Sequence, residues 1–450
     1  MLLLLKLRFI YISIVRILLL ISMCIKLNEE KNVKAKNTRC VATVIALLLC
    51  LSFILSLADL KISVNASPSV VYVPSDYEKI QWAINNVSAG STIFVDSGIY
   101  YEHLIIDKAL TLQGEGESII DGNYTGDVII VTANNVNISG FTIRNSGIGF
   151  WDSGIRVYCS SYHNISYNTM INNGHGVWLD GSSYSILNYN NVSDNQCGIG
   201  LSYSNNNTVA NNYVYSSNEC GIGLDYSNHN ILTGNTVLNN GYGIWITQRS
   251  NNIVFHNNIV NNTRQMHIFN STNVFDNGYE GNYWSDYNGV DADLDGIGDT
   301  HYVIDINNID NYPLMGMFSD FKVTWQDEIY HVTTICNSTI SAFQFNQQEK
   351  ILSFNVTGQD FTIGFCRITI PKTLINETYT VLVDGEEVDV TVLPISNSTH
   401  AFLFFTYIHS THEVVIIPEF PLTLILILLT VISLIEIIIT KNHVCTRFQI

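Results

Sequence analysis

Apolar and polar positions alternate along this chain in short phrases that recur. Five times a glycine opens a stretch in which apolar residues fall two apart: Gly154-Ile155-Arg156-Val157, Gly176-Val177-Trp178-Leu179, Gly198-Ile199-Gly200-Leu201, Gly221-Ile222-Gly223-Leu224 and Gly243-Ile244-Trp245-Ile246. The glycines lie 22, 22, 23 and 22 residues apart, and a degenerate copy, Gln265-Met266-His267-Ile268, follows. A second phrase keeps step. Asn168, Asn190, Asn212, Asn235 and Asn257 are each followed two residues on by Met170, Val192, Val214, Val237 or Ile259. Alternation of period two belongs to strands, and the stretch shows no helical apolar stripe, which excludes helical solenoids. At ~3.3 Å per strand residue a 22-residue repeat holds two or three short strands and their corners. The expected fold is therefore all-β, a parallel β-helix in which each coil pairs only with its neighbours. Asparagine at the same corner of successive coils predicts a ladder of side-chain amides.

The alternation also assigns faces. If Ile155, Val177, Ile199, Ile222 and Ile244 point inward, the residues between the apolar positions point outward. One outward column then reads Arg156, Trp178, Gly200, Gly223, Trp245, His267, and the next reads Tyr158, Asp180, Ser202, Asp225, Thr247, Phe269. Two indoles three coils apart, over a floor of two glycines with carboxylates beside them, suit the apolar faces and hydroxyls of sugar rings. Arg156, Trp178, Trp245 and His267 are the candidate ligand-binding residues. Asp180 and Asp225, two coils or ~9.6 Å apart along the sheet, are the candidate catalytic pair of an inverting glycosidase, whose carboxyls stand ~6.5–9.5 Å apart.

Toward the N-terminus the array gives way to irregular coils: Thr92-Ile93-Phe94-Val95, Leu104-Ile105-Ile106, Leu110-Thr111-Leu112, Ile119-Ile120 and Val128-Ile129-Ile130-Val131 are separated by turn residues. Phe141 takes the asparagine place in the first repeat, and a five-residue insertion before Gly154 predicts a corner loop. Residues 77–87, with Ile80, Trp82, Ala83 and Ile84 on one face, predict a helix capping the first coil. Residues 1–66 hold two apolar runs behind basic flanks and are expected to be a signal or targeting segment. Met23 offers a more ordinary start than Met1.

Beyond residue 317 the phrase stops, and alternating runs predict a small antiparallel β-sandwich over residues 318–417. Tyr379-Thr380-Val381-Leu382-Val383, Asp384-Gly385 and Val388-Asp389-Val390-Thr391-Val392 carry a hairpin signal. Residues 418–440 combine a Pro-Glu-Phe-Pro entry with an apolar stretch long enough to span a bilayer. Lys441, His443 and Arg447 place the tail, 441–450, in the cytoplasm and everything before the span outside.

Three sets of residues carry a family resemblance. Gly98-Ile99-Tyr100-Tyr101-Glu102 with Leu110-Thr111-Leu112-Gln113-Gly114-Glu115-Gly116, the Asn-rich coils, and Gly281-Asn282-Tyr283-Trp284-Ser285-Asp286-Tyr287 together resemble archaeal surface proteins with NosD-like, pectin-lyase-like β-helices. The resemblance covers residues 71–315 and implies a right-handed coil and an association with carbohydrate. It implies no single activity, since the fold hosts lyases, hydrolases, epimerases and binding proteins.

Residues 291–299, Asp291-Ala292-Asp293-Leu294-Asp295-Gly296-Ile297-Gly298-Asp299, place Asp at positions one, three, five and nine with Gly at six, the spacing that wraps carboxylates around Ca²⁺. The loop resembles calcium loops of the EF-hand and dockerin kind. Tyr302 stands where the bidentate glutamate belongs, with Asp305 or Asp310 as substitutes. Cys197 and Cys220 precede phrase glycines one coil apart, within disulfide range, and Cys336 with Cys366 forms a second candidate pair. Acids exceed bases by 39 to 21, a net charge of −18, which excludes a nucleic-acid partner and suits an exterior location. Asn-x-Ser/Thr sequons recur, among them Asn86, Asn123, Asn164, Asn191, Asn261, Asn337, Asn355, Asn376 and Asn397. The expected protein is exported, anchored in the cell membrane and faces outward, binding carbohydrate or building the surface. The alternatives are a polysaccharide hydrolase or lyase and a NosD-like copper maturation protein, the latter without a Met, His or Cys cluster of copper-ligand spacing.

Overall fold

The computed structural model describes residues 67–149, 151–248, 251–376 and 378–418. The expected targeting segment and all of the expected membrane span but Pro418 lie outside the described residues. Among those described, no helix is long and apolar enough to cross a membrane.

The 22-residue repeat folds into coils of three strands. In one coil these are His175–Asp180, Ile186–Asn188 and Asn191–Ser193. Each pairs in parallel with its counterpart one coil away: Val177 lies between Ile155 and Ile199, and Leu187 between Ile165 and Val209. Stacking the first strand of every coil makes an eight-stranded sheet that runs from Leu104–Ile106 to Arg264–Phe269. The other two columns join through the long strands Leu110–Asp121 and Asn137–Arg144. The inward phrase positions Ile155, Val177, Ile199, Ile222 and Ile244 have no exposed surface. Each such side chain contributes roughly 1.5–3 kcal/mol through removal from water.

Sheet hydrogen bonds do not reach the corners, so corner N–H groups need another acceptor. The Asn phrase supplies it. The amide oxygen of Asn190 accepts the Asn168 N–H at 3.1 Å, Asn212 does the same for Asn190 at 3.0 Å, and the series continues through Asn235, Asn257 and Asn282. Side-chain amides also bond one another, at 2.9 Å from Asn190 to Asn212. Phe141 heads the column by donating its N–H to Asn168. At the far end Asp310 accepts from the N–H and amide of Asn282 and from Trp284 Nε1. Burial pushes the Asp310 carboxyl up to about 6, with those hydrogen bonds opposing. Two further ladders were not singled out in the sequence. One runs through Asn207, Asn230, Asn252 and Asn273, and the other includes Asn173 to Asn195 and Asn240 to Asn262.

The first coil is capped by a helix, Ile80–Asn86, that buries Ile80, Ala83 and Ile84. Trp82 does not share that face: it is 48 % exposed, because a seven-residue helix has room for one buried stripe and Trp82 falls off it. Glu102 explains part of the opening motif, since its two carboxylate oxygens accept the N–H groups of Ile80 and Gln81 at the helix start.

The expected β-sandwich consists of two five-stranded antiparallel sheets that share one core, with Val332, Ile368 and Leu403 from one sheet and Leu352, Val381 and Val414 from the other. The Asp384-Gly385 turn is left-handed at both residues, φ 51° and 83°, and pairs Val381 with Val388. The returning run is not one strand: Glu386–Val388 stays in its hairpin sheet while Val390–Val392 crosses to the other. The sandwich docks on the β-helix through Arg367, which is almost fully buried and bonds Glu280 at 2.7 Å and Asp295 at 3.3 Å. Phe318 adds a backbone pair with the Asn258 amide, at 2.7 and 2.8 Å, and stacks on His256 with centroids 4.0 Å apart.

Candidate functional site

The two outward columns of the eight-stranded sheet have the expected register. Trp178 lies between Arg156 and Gly200, and Gly223 between Gly200 and Trp245, which in turn neighbours His267. Asp180 pairs with Tyr158 and Ser202, and Asp225 with Ser202 and Thr247.

Occupancy of that face differs from the expectation. Trp178 is 9 % exposed and packs edge-on against His175 at 4.4 Å and Trp151 at 5.3 Å. Its ring lies over Gly200, where a Cβ would collide with it. The other glycine of the predicted floor lies beneath a disulfide joining Cys197 and Cys220, whose Cα atoms are 4.9 Å apart. A Cβ on Gly223 would stand 3.2 Å from Cys220 Sγ. The open floor between two standing indoles is therefore corrected: one indole has folded onto one glycine and the disulfide covers the other. Alternation along a strand fixes the side from which a residue leaves the sheet, but not what folds down over it from a neighbouring loop, here Trp151.

An accessible aromatic group survives at the end of the sheet. Trp245 contacts Tyr242 at 5.0 Å and His267 at 5.2 Å, and the Arg264 guanidinium lies 5.8 Å from the Tyr242 ring. All four residues come from two adjacent strands, Tyr242–Thr247 and Arg264–Phe269. Tyr242 and Arg264 share a column with Cys197 and Cys220, so the column's register could have flagged them. The edge strand also borders a cleft of about 540 Å³, lined by Arg264, Gln265, Met266, Asp286, Tyr302 and Ile304 among others.

Both candidate acid–base residues are engaged. Asp180 accepts from Arg156 Nη2 at 3.1 Å, and Asp225 accepts from Thr247 Oγ1 at 2.6 Å. Arg156 also approaches Asp127, 3.8 Å away. Burial holds the Asp127 carboxyl above its ordinary range against the pull of Ser153 N–H and Arg156. Burial drives the His175 imidazole down to about 4, with Glu219 opposing. His175 is thus a neutral ring at neutral pH, packed against Trp178.

In the Asp-rich loop the carboxylates of Asp291, Asp293 and Asp299 come within 4.8 Å of one another. Asp291 accepts the N–H groups of Asp295 and Gly296 at 3.0 and 2.8 Å, with Gly296 left-handed at φ 86°. Asp295 falls outside this group: one oxygen accepts the Ile297 N–H and the other faces Arg367 of the sandwich. The proposed substitutes at the last ligand position are also committed elsewhere, Asp305 to Asn308 and Asp310 to the end of the amide ladder. Tyr302 donates to Asp286 at 3.1 Å.

Cys336 and Cys366 are free thiols, which corrects the second expected disulfide. They face each other across an antiparallel strand pair. Their side chains are hydrogen-bonded to each other, and Cys336 Sγ is also hydrogen-bonded to Tyr407 Oη at 3.5 Å and to the Ser338 N–H at 3.4 Å. Cys159 is a free, exposed thiol.

Residues 84–289 match the family model described as periplasmic copper-binding protein (NosD). A 78-residue stretch, 17 % of this chain, is 37 % identical to a cell surface glycoprotein of Methanothermus fervidus; it spans 13 % of that protein's length. Among solved structures, an alginate lyase from Paenibacillus sp. is 13 % identical with a TM-score of 0.38, over 48 % of this chain and 97 % of that one. A periplasmic alginate epimerase is 20 % identical with a TM-score of 0.32, over 46 % and 52 %. Likenesses at this distance concern the fold and carry nothing about activity.

Proposed function

Starting from a chain whose residues 84–289 form a NosD-like parallel β-helix, we propose a cell-surface protein that binds extracellular carbohydrate on the outer face of its eight-stranded sheet. The observation that carries the reading is the Tyr242, Trp245, His267 and Arg264 group at the end of that sheet. Partly exposed rings with a cation and Asp225 one coil away offer stacking and hydrogen bonds to sugar. Binding is favoured over hydrolysis or elimination because Asp180 and Asp225 already hold protein partners. The surface location is supported by the glycoprotein relative and by the expected leader and anchor. Trp245→Ala, with circular dichroism confirming the fold, should lower affinity for any polysaccharide the protein retains on a glycan array at least tenfold. Equal affinity in wild type and variant would sink the site.

The donor set does not fit copper. Among the described residues the one group of three or more His, Cys, Asp or Glu side chains is made of carboxylates, a hard oxygen set, whereas copper favours nitrogen and sulfur ligands. We propose instead that Asp291, Asp293 and Asp299 hold a structural Ca²⁺. Asp295, in the fifth position of the loop, ties it to the sandwich through Arg367. Calcium at 100 times its Kd should stabilise the fold by about 2.7 kcal/mol, read as a rise in Tm over the chelator-treated protein. An Asp293→Asn variant whose Tm responds as wild type does would exclude the loop.

A further inference from the structure

We propose that the chain is N-glycosylated at exposed sequons that include Asn123, Asn164, Asn191, Asn206 and Asn261, and that its eight-stranded sheet is kept bare of glycan as the working face. The second half rests on the carbohydrate-binding reading; the first does not.

All five asparagines are exposed, and each opens an Asn-x-Ser or Asn-x-Thr triplet. Asn123, Asn206 and Asn261 sit at corners in the left-handed region, φ 48°, 57° and 49°. Asn164 and Asn191 begin short strands of the other two columns. A bulky, hydrated chain attached at any of these positions projects into solvent. Several other sequons are less free: the Asn270 amide, at the corner after the last strand of the sheet, donates to Gln248 Oε1 at 3.3 Å, and the Asn137 amide donates to Thr111 Oγ1 at 3.1 Å. The Asn337 amide donates to Ile363 O and accepts from the Phe365 N–H, and the Asn86 amide donates to Trp82 O.

The eight strands of the sheet hold no asparagine at all, although strands of the neighbouring columns begin with it, as at Asn137, Asn164, Asn191 and Asn258. A second regularity makes this pointed. Ser182, Ser204 and Ser227 form a corner ladder in which each N–H is bonded to the next hydroxyl, at 2.9 and 3.0 Å, so serine is fixed there by the fold. Two residues before them stand Asp180, Ser202 and Asp225, on the outer column of the candidate site. Asparagine at any of these three would complete a sequon. Two of them carry aspartate, which has the same shape but cannot accept a glycan.

In the transfer, the asparagine Nδ2 forms a bond to the anomeric carbon of a lipid-phosphate-linked oligosaccharide. The bond from that carbon to the phosphate oxygen breaks, the lipid phosphate leaves with the electron pair, and Nδ2 gives up a proton. No oxidation is involved.

Peptide mass spectrometry on protein purified from the cells that make it should find glycan at the five asparagines; finding them unmodified would overturn the first half. For the second half, Asp180→Asn and Asp225→Asn each install a sequon on the face. Each variant is made in an N-glycosylating host and in one without the pathway. The glycosylated form should bind retained polysaccharide at least tenfold more weakly than the same variant without glycan. Equal binding by the two forms, or failure of the new sequons to be occupied, would overturn the bare-face claim. Wild-type protein that binds no polysaccharide would instead remove the carbohydrate reading and leave the glycan map standing.

Discussion

The β-helix and the β-sandwich bury polar groups in opposite ways. The β-helix distributes them: Asn190, Asn212, Asn235 and Asn257 each satisfy a neighbour and are satisfied in turn, so any one resembles the next. The sandwich concentrates them. Arg367 bridges Glu280 and Asp295 across the seam, and a single chain of hydrogen bonds runs from the buried Tyr407, Ser338 and His409 to the exposed Thr362. A distributed network tolerates local loss by shortening; a concentrated one fails at a single atom.

The largest test of that contrast is Arg367→Met. Burial pushes the Glu280 carboxyl up, but His256 and Arg367 more than offset this and hold it below its ordinary value. Removing the guanidinium leaves a buried carboxylate with the His256 hydrogen bond as its remaining side-chain partner and should cost about 4 kcal/mol. Chemical denaturation should then show the sandwich and the β-helix separating into two transitions. A single transition within about 1 kcal/mol of wild type would show that the seam does not depend on this residue.

Asn212→Ala tests the distributed side. It removes the acceptor of both the Asn190 N–H and the Asn190 amide, a loss of about 3 kcal/mol. Because coils interact only with neighbours, the loss should loosen coils on both sides while distant ones keep their protection from hydrogen exchange. Uniform loss of protection through the solenoid would contradict the one-dimensional picture.

The same contrast explains what was legible in the sequence. The ladder at Asn168 and the outward columns could be read because a period of 22 fixes the register of every repeat. The second ladder was equally readable from Asn207, Asn230, Asn252 and Asn273, at intervals of 23, 22 and 21. Trp178 as a buried residue was not, since Trp151 reaches it from an insertion outside the period. Arg367 is paired with a residue 87 positions away, and no repeat announces such a contact. For that reason Asp295 read as a calcium ligand when its carboxylate faces the sandwich.

His175 gives the smallest and sharpest test, because it is a singular residue inside the repeating part. Its column holds Ser153, Cys197, Cys220, Tyr242 and Arg264 in the other coils. Burial lowers its folded pKa to about 4, against ~6.5 unfolded. Between those values the unfolded chain binds a proton that the folded chain refuses, so stability rises with pH across that window and falls on acidification. From pH 6.5 to 5.5 the loss from this group is about 1 kcal/mol. His175→Gln should abolish that share of the acid sensitivity, measured as the difference in denaturation midpoints at the two pH values. If variant and wild type lose equal stability over the interval, the His175 pKa is the same in the folded and unfolded chain, and burial against Trp178 does not depress it.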